Sequence, residues 1–409
     1  MAPFPLVITE VLGRYGAYLL FLLIGFAFGY VLEIAGFGNS RKLAAQFYLT
    51  EMTVLKVMFT AIVVAMVLIF AASALGLLDV NLLWINPTYL WPGIVGGLIM
   101  GFGFIIGGFC PGTSLVAMAT MKIDGLFFVL GAVFGIFLFG ETVDWFYIFW
   151  NSSYYGRLML PEWLGLDTGV VVLGVVLMAL FMFWGGEQLE RIIGKRDLAK
   201  EPKARYAGAG LLVAGAVAVL LIGQPTTLDR WLKIAPEKEA LLIDRSVQIE
   251  PGELLYVMHD HELKLVMLDV REEADYNLFH LADARRVSVD ELSVLSSELH
   301  LEPPETVFVL MSNDEIEATK AWKVLLAESV PNVYILEGGI NGWLDIFAKD
   351  DIGIRPLEGA GEGELRYEFA SALGAAYQIA DPEFHEYELE FTPKIKMELK
   401  RAPSGGGCG

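Results

Sequence analysis

The stretch GGFCPGTSLVAMATMK, residues 107–122, places one thiol where an apolar run is interrupted. Gly107 and Gly108 stand three and two residues before Cys110, and Pro111 and Gly112 follow it. Proline is favoured at the first position of a helix, where its missing N–H costs nothing, so a short helix is predicted to begin there and run through TSLVAMATM. Cys110 would then sit at or beside the N-cap. Uncapped N–H groups and the positive end of the helix dipole would face whatever occupies the break. A thiol in that place can donate an S–H hydrogen bond to an anion, with the hydroxyls of Thr113 and Ser114 close by. Interrupted helices of this kind present an N-terminus to an anion inside membrane transporters. A second break, GFGNS at 36–40, adds Gly38, Asn39 and Ser40. The chemistry on offer is the binding and passage of a small anion.

Such breaks need membrane helices to hold them. Of the 409 residues, 55% are hydrophobic, and they are concentrated in the first half. Six segments approach the roughly 20 residues needed to cross a bilayer: 17–36, 54–77, 89–109, 124–148, 168–186 and 206–223. An α-helical polytopic bundle is therefore expected over 1–225. Several segments are rich in Gly and Ala, which favours close helix packing. Arg41 and Lys42, Lys122, and the cluster from Arg191 to Arg205 all fall in odd-numbered loops. Those loops are expected on the cytoplasmic side, so both termini are expected on the other. Charges within spans are costly and default to functional candidates. Lys56, near the start of the second segment, is the candidate for attracting an anion; Glu33, Glu141 and Asp144 lie nearer segment ends.

The second half is different. Residues 1–225 carry 12 basic and 13 acidic side chains, whereas 226–409 carry 17 and 36. Such an acidic surface excludes nucleic acid and anionic lipid as partners of this half. Residues 226–249 are expected to form a linker. From 250 to 350, LKLVMLDV, TVFVLM and NVYILEGG have the character of buried strands, with the helical EIEATKAWKVLLAE between the last two. That order implies a small parallel α/β sheet. A Gly- and Glu-rich extension, 351–409, ends in the flexible tail APSGGGCG, whose Cys408 is suited to a swinging sulfur carrier. Two cysteines, Cys110 and Cys408, exclude a disulfide framework. No metal-ligand cluster, phosphate loop or nucleophile triad stands out, and no cofactor is expected.

Two family resemblances follow from these motifs. GGFCPGTSLVAMATMKIDGLFFVLGAVFG and FGYVLEIAGFGNSRKLAAQFYLTEMTVLKVMF resemble the YeeE/YedE family of sulfur-compound transporters over most of residues 17–148. The resemblance implies import of a sulfur oxyanion, thiosulfate first, across a bacterial inner membrane, with central cysteines passing the anion by S–H hydrogen bonds. Here Gly38 stands where family members often carry cysteine, and one copy of the family's repeat is present instead of two. A homodimer or a second half-size membrane subunit would restore the pore. LDVREEADYNLFHLADARRVSVDEL and NVYILEGGINGW resemble a rhodanese domain, with Asp269, Arg271, Tyr276, His280, Gly338, Gly339 and Trp343 in its motifs. Where that family carries its persulfide-forming cysteine, after VFVLM, this chain has Ser312, followed by the acidic Asp314, Glu315 and Glu317. A hydroxyl cannot hold a sulfur atom as a thiolate does. The expectation is a catalytically inactive domain that gates the path or docks a soluble sulfur-handling protein. Two other readings stay open: a docking subunit of a larger membrane complex, or a sulfurtransferase completed by Cys408.

Overall fold

In the computed structural model, residues 3–195, 203–260, 262–303, 305–349, 351–387 and 389–397 are described. Cys408 lies outside them. The chain divides between Gln224 and Pro225 into two compact units.

The first unit is helical. Its elements are α1 (Ile8–Ile34), α2 (Ser40–Ala44), α3 (Thr53–Ala74), α4 (Leu90–Gly107), α5 (Pro111–Ala119), α6 (Ile123–Thr142), two short helices α7 (Tyr147–Trp150) and α8 (Leu160–Leu164), then α9 (Thr168–Ile192) and α10 (Ala204–Ile222). Six spans among the described residues are long and apolar enough to cross a membrane, the third running from Leu90 to Ala119 across the interruption between α4 and α5. The chain is thus a multi-pass membrane protein. Two buried clusters organise the unit. Val63 and Val67 of α3 pack with Val172, Val176 and Ala179 of α9 and Ala216 of α10. Phe37, Leu43, Val54, Phe109 and Ala117 form the other, beneath the two breaks. The fifth span extends beyond the expected 186 to Ile192. Its last residues, EQLERI, are good helix formers, so polarity ends the hydrophobic segment without ending the helix.

The second unit opens with α11 (Thr227–Ile243), in the segment expected to be a linker. Thr226 and Asp229 form a reciprocal capping box at its start. Trp231, Leu241 and Leu242 then pack against the core of the domain. Amphipathicity, which turns these apolar residues to one side, makes the segment part of the fold. The sheet has the order β1-β5-β4-β2-β3, with every pairing parallel. Its strands are β1 (Gln248–Ile249), β2 (Lys264–Asp269), β3 (Arg285–Arg286), β4 (Thr306–Met311) and β5 (Val333–Leu336). All six residues of the central β4 are buried, which is why TVFVLM is continuously apolar where a half-exposed strand would alternate. The helices α12 (Pro251–Met258), α13 (Glu273–Leu278), α14 (Leu292–Leu299), α15 (Ile316–Ala327) and α16 (Gly339–Phe347) connect and cover these strands.

The described residues of the extension after 350 are also built in. β6 (Ile354–Pro356) and β7 (Tyr367–Phe369) form a hairpin. The Trp343 indole N–H donates to the Ile379 carbonyl at 2.9 Å, and Lys396 N–H donates to the Tyr334 hydroxyl at 2.7 Å.

Candidate functional site

The membrane break is built by three local choices. Gly108 ends α4 in the left-handed conformation, with φ +71°. Cys110 is extended and caps α5, and Pro111 takes the first helical position. Thr113 completes a reciprocal cap: Cys110 N–H donates to its hydroxyl oxygen at 2.9 Å, and Thr113 N–H donates to Cys110 Sγ at 3.4 Å. The Thr113 hydroxyl lies 3.3 Å from Sγ and 3.2 Å from the Cys110 carbonyl, able to donate to either. Ser114 Oγ donates to the Pro111 carbonyl at 2.7 Å. Both hydroxyls are buried and shape the turn. The half-buried sulfur is in the acceptor role towards Thr113, which leaves its own S–H to donate elsewhere.

The two breaks meet. A Cβ on Gly108 would come within 3.0 Å of Ser40 Cβ, and one on Gly38 within 3.7 Å of Ala117 Cα. Gly107 is packed as tightly against the Phe128 ring, at 2.5 Å from such an atom. Asn39 caps α2, its Oδ1 accepting Arg41 N–H at 3.1 Å. Gly38 also makes room for an ion pair that sequence reasoning did not join. Lys122 and Glu33 approach to 3.5 Å, and a Cβ at Gly38 would fall 2.6 Å from Glu33 Oε2 and 2.8 Å from Lys122 Nζ. A larger residue there would require the ends of these two half-exposed side chains to shift.

Lys56 sits one turn into α3, where Nζ pairs with Glu190 Oε2 at 2.7 Å. Glu190 Oε1 accepts the Met52 N–H at 2.5 Å. Glu190 was missed because it lies in the polar run after the fifth segment; only the continued helical period of GGEQLERI points to it.

In the second unit, Asp269 and Arg271 form a fully buried ion pair at 2.6 Å. The guanidinium also donates to the Phe279 carbonyl at 2.7 Å and to Asn313 Oδ1 at 3.4 Å. It therefore ties the end of β2 to the loop after β4. His280 stacks on Tyr276 with centroids 3.8 Å apart. These residues hold the fold.

Ser312 is buried and saturated. Its hydroxyl donates to the Asp314 carbonyl at 2.6 Å and accepts Ala318 N–H at 3.0 Å. The acidic residues that follow fold back on the loop. Asp314 accepts Ile316 N–H and Gly363 N–H, each at 2.8 Å, and Glu315 accepts Gly338 N–H at 2.8 Å and a two-point contact from Arg245. Gly339, at φ +62°, lets α16 start against the Asp314 and Ser312 carbonyls, where a Cβ would stand 2.3 and 2.5 Å away. A cavity of about 750 Å³ opens beside this loop, lined by six acidic and three basic side chains, so it repels anions on balance. Tyr367 lines it too; burial, then its hydrogen bond to Asp345, pushes the phenol up to about 12. Among the described residues no group of three or more His, Cys, Asp or Glu could hold a metal.

Fold and breaks together define a multi-pass membrane protein with a small α/β domain attached. The chain belongs to the sulphur transport family, whose pattern matches residues 35–240. Residues 250–346 match the rhodanese-like domain. Among solved structures, a full-length protein from Lactobacillus plantarum is similar over 27% of this chain and 92% of its own, at 24% identity and a TM-score of 0.23. No curated protein matches the chain.

Proposed function

We propose that the membrane unit is a permease for a small sulfur oxyanion, thiosulfate first among them. The supporting observation is Cys110: a thiol at the start of a helix, at the junction of two breaks, with its sulfur accepting from Thr113 so that its proton is left for a passing anion. Gly107, Gly108, Pro111 and Gly112 shape that opening, Thr113 and Ser114 hold the turn, and Gly38, Asn39 and Ser40 form the facing break. Lys56, paired with Glu190, places an ammonium in the same unit. The single repeat and half-buried Cys110 favour completion of the path by a second copy of this chain or by a half-size partner subunit. Membership of the sulphur transport family suits a bacterial inner-membrane location, and the distribution of Lys and Arg favours the acidic unit on the non-cytoplasmic side.

The rhodanese-like unit, in this reading, is non-catalytic and docks a soluble sulfur-handling protein. Ser312 has no proton to spare for catalysis and no thiol, and the carboxylates of Asp314 and Glu315 take the amides an oxyanion would use. Cys408, outside the described residues, is proposed as a sulfur carrier.

The test is uptake of radiolabelled thiosulfate into proteoliposomes holding the full chain, beside Cys110→Ala and empty vesicles. Uptake above empty vesicles that falls at least about tenfold in Cys110→Ala is expected, the worth of one hydrogen bond to a charged group. No uptake by the folded, inserted wild type would refute conduction by this chain alone.

A further inference from the structure

Apolar packing already joins α3 to α9, so the buried Lys56–Glu190 pair, whose carboxylate also accepts the Met52 N–H at 2.5 Å, is more than adhesion alone requires. Glu190 is completely buried, whereas Lys56 keeps 23% of its side chain exposed. Desolvating such a pair returns little over an apolar replacement unless it is needed for something besides adhesion. α3 and α9 already adhere through Val63, Val67, Val172, Val176 and Ala179. Charges set among membrane helices default to function. The burial is also lopsided: the glutamate side chain is sealed, and the lysine side chain is not. An ammonium has three donors, and Glu190 takes one of them. Val54, two residues before Lys56, is buried with Phe37, Phe109 and Ala117 beneath the two breaks. The first turn of α3 therefore belongs to the same packed body as the Cys110 turn.

We infer that Lys56 is an anion ligand of the transport path and that Glu190 is its resident counter-ion, a positioning residue that sets which anions the ammonium accepts. This rests on the conduction reading. Glu190 holds the ammonium in place and offsets its charge, so an anion must compete with a carboxylate to be bound. A doubly charged sulfur oxyanion with several acceptor oxygens competes; chloride, with one charge, does not. Neighbouring charges have partners of their own: Glu187 pairs with Arg205 of α10 at 3.0 Å, and Glu51 accepts the Thr53 hydroxyl at 3.1 Å.

The experiment measures half-saturation of thiosulfate uptake, with and without excess chloride, for wild type, Glu190→Gln and the neutral double variant Lys56→Gln/Glu190→Gln. Expected is half-saturation about tenfold lower in Glu190→Gln with new inhibition by chloride, and about tenfold higher in the double variant, each shift being one charge-assisted contact. A double variant with wild-type half-saturation overturns the inference and makes the pair structural. Glu190→Gln leaves a lone ammonium and can fail to fold; the double variant leaves none, and then decides alone. If the wild type conducts nothing, the conduction reading falls separately. Thermal stabilisation of the purified protein by thiosulfate then tests Lys56: a shift present in wild type and lost in the double variant supports the site, and no such difference overturns it.

Discussion

At Cys110 and at Ser312 the chain performs the same local manoeuvre, ending one element, turning within a few residues and starting a helix. Cys110 caps α5 with sulfur, a weak acceptor, at 3.4 Å from Thr113 N–H. The loop at Ser312 is capped by oxygen and by charge: its hydroxyl accepts Ala318 N–H, and Asp314 accepts Ile316 N–H. A weakly capped helix start keeps part of its dipole unanswered and can attract an anion. A start answered by carboxylates has no such attraction left. Two related turns thus separate into one that suits an anion and one that refuses it, through the chemistry of a few side chains.

The largest effect expected from breaking this contrast is at residue 110. Cys110→Asp would make the first turn like the second, placing a fixed carboxylate on the helix start. Uptake of labelled thiosulfate should fall to the level of empty vesicles. Cys110→Ser keeps a donor and a cap and should retain measurable uptake, with a loss smaller than that of Cys110→Ala. Wild-type uptake in Cys110→Asp would show that the start of α5 does not face the anion.

Next in size is a pair of glycines. Gly339→Ala forces a left-handed side chain against the carbonyls of Ser312 and Asp314, where the new atom has only 2.5 and 2.3 Å. Left-handed strain plus that backbone clash should cost more than about 3 kcal/mol, read as thermal or denaturant unfolding of the acidic unit. Gly108→Ala meets Ser40 less closely, at 3.0 Å from its Cβ and 3.2 Å from its carbonyl oxygen. Its cost should stay near the left-handed penalty, about 1–2 kcal/mol. Equal losses would mean that the Ser312 loop is not braced by α16.

Much of this was legible in sequence, and the exceptions have physical causes. Pro111 and the glycine pair announce the break because backbone freedom is written in residue type. Continuous apolar runs announce β4 and the six spans. The role of 226–249 was hidden, because a short amphipathic helix with charged residues on one side looks like a linker until the core it packs on is known. The Lys56–Glu190 and Lys122–Glu33 pairs were hidden because each joins residues far apart in the chain, 134 positions for the first. Ser312 was legible as the missing thiol. That its neighbours bend their carboxylates back onto the loop's own amides was not, since spacing does not specify side-chain direction.

A further test restores the thiol where it is missing. Ser312→Cys alone should leave cyanide-dependent thiocyanate formation at the wild-type level, because Asp314 and Glu315 still occupy the loop. Adding Asp314→Ala and Glu315→Ala removes two negative charges from it, so thiosulfate can approach, and activity should rise about tenfold over the single variant, as expected for loss of like-charge repulsion. Full activity in Ser312→Cys would show that the carboxylates do not bar the anion.

The smallest effect concerns the same cavity from its other wall. The Tyr367 hydroxyl donates to Asp345 Oδ1 at 2.5 Å, and burial followed by this bond raises the phenol from 10.0 to about 12. The folded state therefore holds the proton more tightly than the unfolded chain. The contribution to stability is fully present below about pH 10 and is lost as pH rises towards the folded value. Following phenolate absorbance with pH should show a late component that loses one tyrosine in Tyr367→Phe and keeps Tyr276, whose phenol burial also raises. In Asp345→Asn the Tyr367 phenol should titrate earlier than in wild type while remaining later than an exposed tyrosine, since burial is the larger cause. An unchanged late titration in Asp345→Asn would assign the whole shift to burial. A titration at the ordinary value in the wild type would mean that this wall of the cavity is open to water, and that the Ser312 loop is less enclosed than the contrast with Cys110 requires.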